Sequence, residues 1–356
     1  MPLPERLGRL RQVRRIGSGG FATVWLYRDY ELRSDVAVKA LAENWAARLD
    51  VRERFLEEAR ILRAADSDHV VRVHDIGESD GVPWFVMTYA DRGSLDAGLT
   101  GVPWSPRHVV PIVEQAAAGL AVLHSRGVVH RDVKPQNLLL RGDGVDSRPA
   151  QGDGPTPEVL ASSRLMVADL GVAKALLHAS GLTQVVGTPA YMAPEQATGE
   201  GLDARADVHA LGAVAYHLLT GRILREGGFA ELVEGRPPVP PSSLADLPRA
   251  VDDVVLRAVA ARPDERWSDV QTFAARLTEA LAQPVRSSGD TAVRPVAEPT
   301  PTVETPVPVA PDDVPRHLAP TPQEARRTSP LAATLLVLLA LAGSFAAAYT
   351  VVLALR

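Results

Sequence analysis

Between residues 284 and 330 the chain carries eleven prolines. Each one removes a backbone donor and fixes φ, so neither a helix interior nor a central strand tolerates that density. The same stretch has scattered Thr, Ser and charges and almost no large apolar side chain, so it has little to bury. It divides the 356 residues into a mixed, globular part (1–283) and an apolar segment, residues 331–355. That segment, LAATLLVLLALAGSFAAAYTVVLAL, contains no charged residue. A bilayer core takes about 20 apolar residues, so the segment is long enough to span one. The competing reading is a buried core helix. Only Arg356 follows, however, and a proline tract precedes it, so no neighbouring core would cover it.

The N-terminal run MPLPERLGRLRQVRR lacks the apolar stretch of a secretory signal. Arg326 and Arg327 stand just ahead of the apolar segment, in keeping with the positive-inside rule. The expectation is a cytoplasmic domain, a loose tether and a C-terminal anchor in the cell membrane. Gly343 and Ala347 form a small-xxx-small pair that allows close helix contact and hence a homodimer. A net charge of −5 disfavours nucleic-acid binding through a broadly basic surface. The absence of cysteine excludes disulfides, thiolate zinc sites and cysteine nucleophiles. Of 38 basic residues only three are lysine: Lys39, Lys134 and Lys174. Mutational bias explains the excess of arginine. A lysine that survives such bias marks a place where a compact point charge serves better than a rigid fork.

The run from Gln12 to Tyr30 alternates like a strand and breaks at Gly17, Ser18, Gly19 and Gly20. SDVAVKAL then reads as a second strand. Glycines let backbone N–H groups approach phosphate oxygens with no Cβ in the way. This loop lies between two strands, whereas Rossmann and Walker A loops open a helix. In VRERFLEEARILRAA, Phe55, Ala59 and Leu62 recur at helical spacing. Two further strands, VVRVHDIGES and VPWFVMTYA, are joined by an Asp-Gly turn.

Downstream, VVHRDVKPQNLLL places His130, Arg131, Asp132, Lys134 and Asn137 between an apolar helix and a strand. MVADLG sets Asp169 at a strand end. Two carboxylates and an amide near strand ends suit a hard cation and phosphate chemistry. Any one of these residues alone would more often be a cap or a solvated surface group.

Taken in order, these motifs resemble the eukaryotic-like (Hanks-type) Ser/Thr protein kinases of bacteria over residues 10–281. The resemblance implies an α+β, two-lobed protein kinase fold over 10–283, with a small β-rich N-lobe and a larger helical C-lobe. A disordered Pro-rich linker (284–330) and a transmembrane helix would follow. ATP would lie under the Gly-rich loop, Ile16, Gly17, Ser18, Gly19, Gly20, Phe21, Ala22, Thr23 and Val24. Ala37 and Leu139 would line the nucleotide slot, Met87 would be the gatekeeper, and Thr88 to Ala90 the hinge. Lys39, held by Glu58, would meet the α- and β-phosphates. Asn137 and Asp169 would hold Mg²⁺ or Mn²⁺. Asp132 would accept the proton of a protein Ser or Thr hydroxyl, with Lys134 beside the γ-phosphate.

GTPAYMAPEQ resembles the substrate loop. Thr188 would tie that loop to Asp132, and Glu195 would pair with Arg266. Asp207 resembles the residue that anchors the catalytic loop from below. Arg131 calls for an anion, implied to be a phosphorylated activation-loop residue, with Thr183 favoured over Ser180 and Lys174 placed to help. The HRDVKPQN form points to Ser/Thr specificity, and GTPAYMAPE argues against small-molecule phosphotransferases. With the catalytic set present, an active kinase that autophosphorylates in membrane signalling is expected. The alternative is a pseudokinase scaffold.

Ala22, Leu170 and Thr88 depart from the family pattern without removing a catalytic group. Residues 141–163 form a Gly/Pro/Asp-rich insertion, read as disordered surface loop. Residues 222–243 look short for the family, which puts substrate docking there in doubt.

Overall fold

The computed structural model describes residues 3–142, 156–171, 189–198, 201–225 and 237–285. They belong to one compact unit that runs to Ala292. The segments 284–330 and 331–355, save Pro284 and Val285, lie outside the described residues. So do Lys174, Ser180, Thr183 and Thr188. Among the described residues no helix is long and apolar enough to cross a membrane.

Six antiparallel strands open the fold: β1 (Arg6–Leu7), β2 (Leu10–Ser18), β3 (Ala22–Asp29), β4 (Ser34–Leu41), β5 (Val73–Ser79) and β6 (Val82–Thr88). Their order is β1-β2-β3-β4-β6-β5. The β5–β6 hairpin turns through Asp80 and Gly81 at φ 50° and 79°. This is the left-handed pair that an Asp-Gly turn supplies. Between β4 and β5 come a short α1 (Glu43–Ala46) and the long α2 (Leu49–Ala64). α2 buries Val51, Phe55, Ala59 and Leu62 against the sheet, as its spacing predicts. Glu58 is buried on that same face.

The second lobe is helical: α3 (Pro106–His124), α4 (Pro157–Ala161), α5 (Pro194–Thr198), α6 (Arg205–Thr220), α7 (Ala250–Ala258) and α8 (Val270–Leu281). α6 is buried on nearly every side. A helix hydrophobic all round belongs in a core, and α3, α7 and α8 pack about it. The hairpin β7 (Leu138–Arg141) and β8 (Arg164–Val167) lies on the cleft side. The lobes are sewn together at the back. Val71 N–H donates to Val167 O, and Val167 N–H to His69 O, both at 2.9 Å. One apolar core therefore runs from Ala37 in β4 to Ala280 in α8.

The insertion corrects the sequence reading in part. Residues 143–155 lie outside the described residues, but 156–163 are ordered. α4 buries Leu160 completely, and Ser163 Oγ closes its end on Val159 O at 2.6 Å. Gln115 of α3 holds the exit: its Oε1 accepts Leu165 N–H at 2.9 Å. A buried leucine, local hydrogen bonds and contacts with α3 hold a segment whose composition reads as loop.

Candidate active site

The cleft is built from short connections at element ends. Lys39 stands in β4 opposite Val24 of β3 and Phe85 of β6. Its Nζ donates to Glu58 Oε1 at 2.7 Å and to Asp169 Oδ1. Burial opposes the ammonium charge. The Asp169 and Glu58 carboxylates overcome that penalty and raise the lysine pKa above its ordinary value. An ammonium has three donors, and these carboxylates take two.

Asp169 follows β8 and adopts φ 64°, while Arg131 adopts φ 68°. Left-handed backbone at non-glycine residues costs on the order of 1–3 kcal/mol and persists only where contacts enforce it. Here they do. Asp207, fully buried in α6, accepts the N–H groups of His130 (2.8 Å) and Arg131 (2.9 Å). His124 Nε2 donates to the same carboxylate at 2.8 Å. Gln196 Nε2 donates to Arg131 O at 2.7 Å, fixing the far side of that residue. Gly171 N–H donates to His130 O at 2.9 Å. A Cβ on Gly171 would come within 3.2 Å of that oxygen and 3.3 Å of the Asp132 Cβ, so a larger residue there presses on the loop that carries Asp132. His130 is held at both ring nitrogens: Nε2 donates to Ala168 O (3.0 Å) and Nδ1 accepts Asp132 N–H (3.2 Å).

This frame presents Asp132. Lys134 Nζ donates to its Oδ1 at 3.0 Å, and Asn137 Nδ2 to its Oδ2 at 2.8 Å and its carbonyl at 2.7 Å. The carboxylate is thereby fixed in rotamer while its side chain stays 20% exposed. Arg266 and Glu195 form a two-pronged pair at 2.6 and 2.7 Å below the substrate loop. Tyr191 O–H contacts His217 Nδ1 at 2.6 Å there. Burial raises the Tyr191 pKa, and burial lowers that of His217.

The apolar side chains that the resemblance assigns to a nucleotide slot come from both lobes and belong to one core. Ala37 and Met87 are buried, and Ile16, Val24, Ala90 and Leu139 pack against the same core. Thr88, the hinge threonine, is buried, and its N–H donates to Arg72 O at 3.0 Å. In the loop above, Gly17, Gly19 and Gly20 have no positive φ. A Cβ at Gly17 or Gly19 would make only ordinary contacts, and at Gly20 none within 4 Å. Neither backbone strain nor internal crowding requires glycine at these positions. Glycines leave the loop's backbone open to a close-lying ligand, as the phosphates of ATP would be. Asn137 and Asp169 offer oxygen donors below. Among the described residues no three His, Cys, Asp or Glu side chains converge on a metal position. A cation here would complete its shell with phosphate oxygens and water, as Mg²⁺ does in nucleotide sites.

Residues 10–272 match the family model described as the protein kinase domain. The chain belongs to the protein kinase family. Relatives include the serine/threonine-protein kinase Pkn1 of Myxococcus xanthus, 38% identical over 80% of this chain and 40% of that protein. PknJ of Mycobacterium tuberculosis is 34% identical over 76% of this chain and 45% of its own length. PknB of Mycolicibacterium smegmatis is 35% identical over 78% and 44%. The chain thus spans less than half the length of these curated relatives. A crystal structure of the Mycobacterium tuberculosis PknI kinase domain superposes with a TM-score of 0.59 at 27% identity, covering 77% of this chain and 97% of that one. The expected two-lobed fold is present.

The site unites Lys39, Glu58, Asp132, Lys134, Asn137 and Asp169, as the motifs imply. Three contributors escape sequence reading. His124 shares the Asp207 carboxylate, Gln196 braces Arg131, and Trp45 stacks on Phe21 of the Gly-rich loop. Gln196 adjoins Glu195 in the APEQ run, a signal that could have drawn attention to it. The other two gain their roles from tertiary contact alone.

Proposed function

We propose that this kinase transfers the γ-phosphoryl group of ATP to Ser or Thr hydroxyls of proteins. One observation carries the reading: a single ammonium, Lys39 Nζ, bridges Glu58 of the N-lobe and Asp169 of the C-lobe. That bridge requires helix α2, strand β4 and the Asp169 turn to be in register together. It is the arrangement phosphoryl transfer needs, because catalysis there is mostly positioning and electrostatic stabilisation.

When bound, ATP supplies the phosphoryl group and a divalent cation such as Mg²⁺ neutralises charge on its oxygens. The chain's own residues do the rest. Lys39 orients phosphate oxygens through its remaining donor. Asn137 and Asp169 present oxygens to the cation. Asp132, locked by Lys134 and Asn137, orients the acceptor hydroxyl and takes its proton. Lys134 lies 3.0 Å from that carboxylate and offers a positive charge to the group in transfer.

The test is Mg-ATP-dependent phosphorylation by the full chain beside Lys39→Ala and Asp132→Asn controls. The expected result is signal in the parent and a loss of at least 100-fold in both variants. Equal signal in all three would overturn the reading.

Regulation and place extend the proposal. Arg131, next to the catalytic Asp132, needs an anion, and phosphorylated Thr183 supplies one, with Lys174 assisting. Thr183→Ala should lower activity several-fold, and full activity with no phosphate on that loop would refute it. The apolar segment 331–355 would hold the kinase at a bilayer on the cytoplasmic side, with Gly343 and Ala347 available for pairing in a homodimer. Membrane fractionation of the full chain against a chain ending at residue 330 tests the anchor.

A further inference from the structure

The tip of the Gly-rich loop is not left to itself. Its Phe21 ring lies against the Trp45 indole at a centroid distance of 5.1 Å and an interplanar angle of 3°. Trp45 Nε1 donates to Gly20 O at 2.8 Å. Ala42 N–H donates to Phe21 O, also at 2.8 Å. A stack and two hydrogen bonds therefore join the loop to the connection between β4 and α2.

The same indole continues into α2. The Arg48 guanidinium sits 5.8 Å from the Trp45 ring. Arg48 Nε donates to Asp50 Oδ1 at 3.1 Å and an Nη to Oδ2 at 2.6 Å, in the first turn of α2. That hydrogen bond and charge hold the Asp50 carboxyl below its usual range. Two turns further along, α2 carries Glu58, which holds Lys39. A continuous path of contacts thus leads from the loop tip through Trp45 to the helix that sets the catalytic lysine. An isolated Gly-rich loop gains freedom from its glycines; here an aromatic latch removes part of it again.

We propose that Trp45 is a positioning residue that latches the glycine-rich loop to the base of α2. The loop and the Lys39–Glu58 pair then move as one unit, and the latch sets ATP affinity. The proposal rests on the phosphotransfer reading above and adds a residue to it. Trp45 need not touch the nucleotide. It acts by holding Phe21 and Gly20, so it presents the loop's backbone donors in the phosphate-facing geometry before ATP arrives. Less ordering is then needed on binding.

The test compares the full chain with Trp45→Ala and Trp45→Phe. Trp45→Ala removes stack and hydrogen bond, so KM for ATP should rise roughly 5- to 10-fold. KM for the protein substrate should stay within about twofold, because Asp132 and the substrate loop belong to the other lobe. Trp45→Phe keeps the stack and should recover most of the ATP affinity. A purely structural role would instead lower kcat in proportion to lost folded protein, with both KM values unchanged. An unchanged KM for ATP in Trp45→Ala overturns the proposal, as does an equal rise in both KM values.

A nucleotide-free arm keeps this separate from the catalytic reading. Hydrogen exchange at the Ala42 amide, which closes on Phe21 O, should accelerate about tenfold in Trp45→Ala and not in Trp45→Phe. Unaltered exchange overturns the latch even in an active kinase. A parent chain that binds no ATP but shows the exchange difference overturns the phosphotransfer reading and the affinity claim, and retains the mechanical link.

Discussion

Lys39 and Arg266 are both buried cations held by a helix-borne glutamate, with side chains 11% and 0% exposed. Arg266 has every donor occupied. Its two Nη groups grip both oxygens of Glu195, and its Nε and Nη groups also reach the carbonyls of Ala260, Arg205 and Ala261. A rigid planar fork with five satisfied donors has one geometry and no spare capacity. Lys39 has Glu58 and Asp169 as partners, and the Asp169 side chain is 37% exposed at the cleft. A point charge on a flexible stem can exchange or share such partners. The fully satisfied cation builds the C-lobe; the shared one is free to serve a reaction. Arginine-rich composition makes the contrast visible, since lysine persists here at the position proposed to meet the phosphates.

Breaking the structural pair should cost most. Arg266→Ala strips both charge-assisted bonds from the buried Glu195 carboxylate and the carbonyl contacts around it, and should reduce folding stability by about 3–5 kcal/mol. Urea denaturation would check this, with the midpoint falling sharply. A loss under about 1 kcal/mol would erase the contrast. Lys39→Arg preserves charge but replaces the compact ammonium. It should lower kcat/KM by about 100-fold, roughly 2.7 kcal/mol, while the urea midpoint moves little. If stability fell as far as activity, Lys39 would belong with Arg266.

Acid should act on the Arg266 side of the molecule. Burial, with the Arg266 and Arg225 guanidiniums nearby, pushes the pKa of His209 well below its ordinary value. Burial lowers that of His217 as well, opposed by Asp96. The unfolded chain takes up protons at these histidines near pH 6.5 while the folded chain resists. Stability should therefore be full above about pH 6.5 and fall below it, by up to about 1.4 kcal/mol per histidine per pH unit. Melting curves at pH 7.5 and 5.5 would show the slope, and His209→Gln should flatten it. The smallest effect belongs to Arg28 and Asp35, joined two-pronged at 2.7 and 2.8 Å like the Arg266 pair, but with the arginine 50% exposed. Arg28→Ala should cost roughly 0.2–1 kcal/mol. Equal losses at Arg28 and Arg266 would show that geometry, not burial, decides.

Much of the N-lobe is legible in the sequence because its signals are local. β4 coincides with the SDVAVKAL run, and the Asp-Gly turn sits between β5 and β6. α2 follows the spacing of Phe55, Ala59 and Leu62. The catalytic set is legible through motif order. Burial of Glu58 is not, since a glutamate among arginines on a helix reads as solvated until Lys39 is placed opposite. Nor is the left-handed backbone at Arg131 and Asp169, which depends on tertiary partners such as Asp207 and Gln196 at Arg131 and Lys39 at Asp169. The ordered end of the insertion is hidden for a similar reason: Leu160 depends on a groove that α3 provides.

That insertion has a consequence for what this fold can accept. It departs just after Gly142, whose N–H donates to Asp91 Oδ1 at 2.9 Å, and returns at Leu165, whose N–H is taken by Gln115. Between these moorings, β7 and β8 keep their register. Length spliced between Gly142 and Thr156, ahead of α4, leaves these contacts intact and adds loop-closure entropy of about 0.6 kcal/mol for each doubling. The hairpin is therefore a port into which a reporter or a whole domain can be grafted close to the cleft without disturbing the strands that carry Leu139 and lead to Asp169.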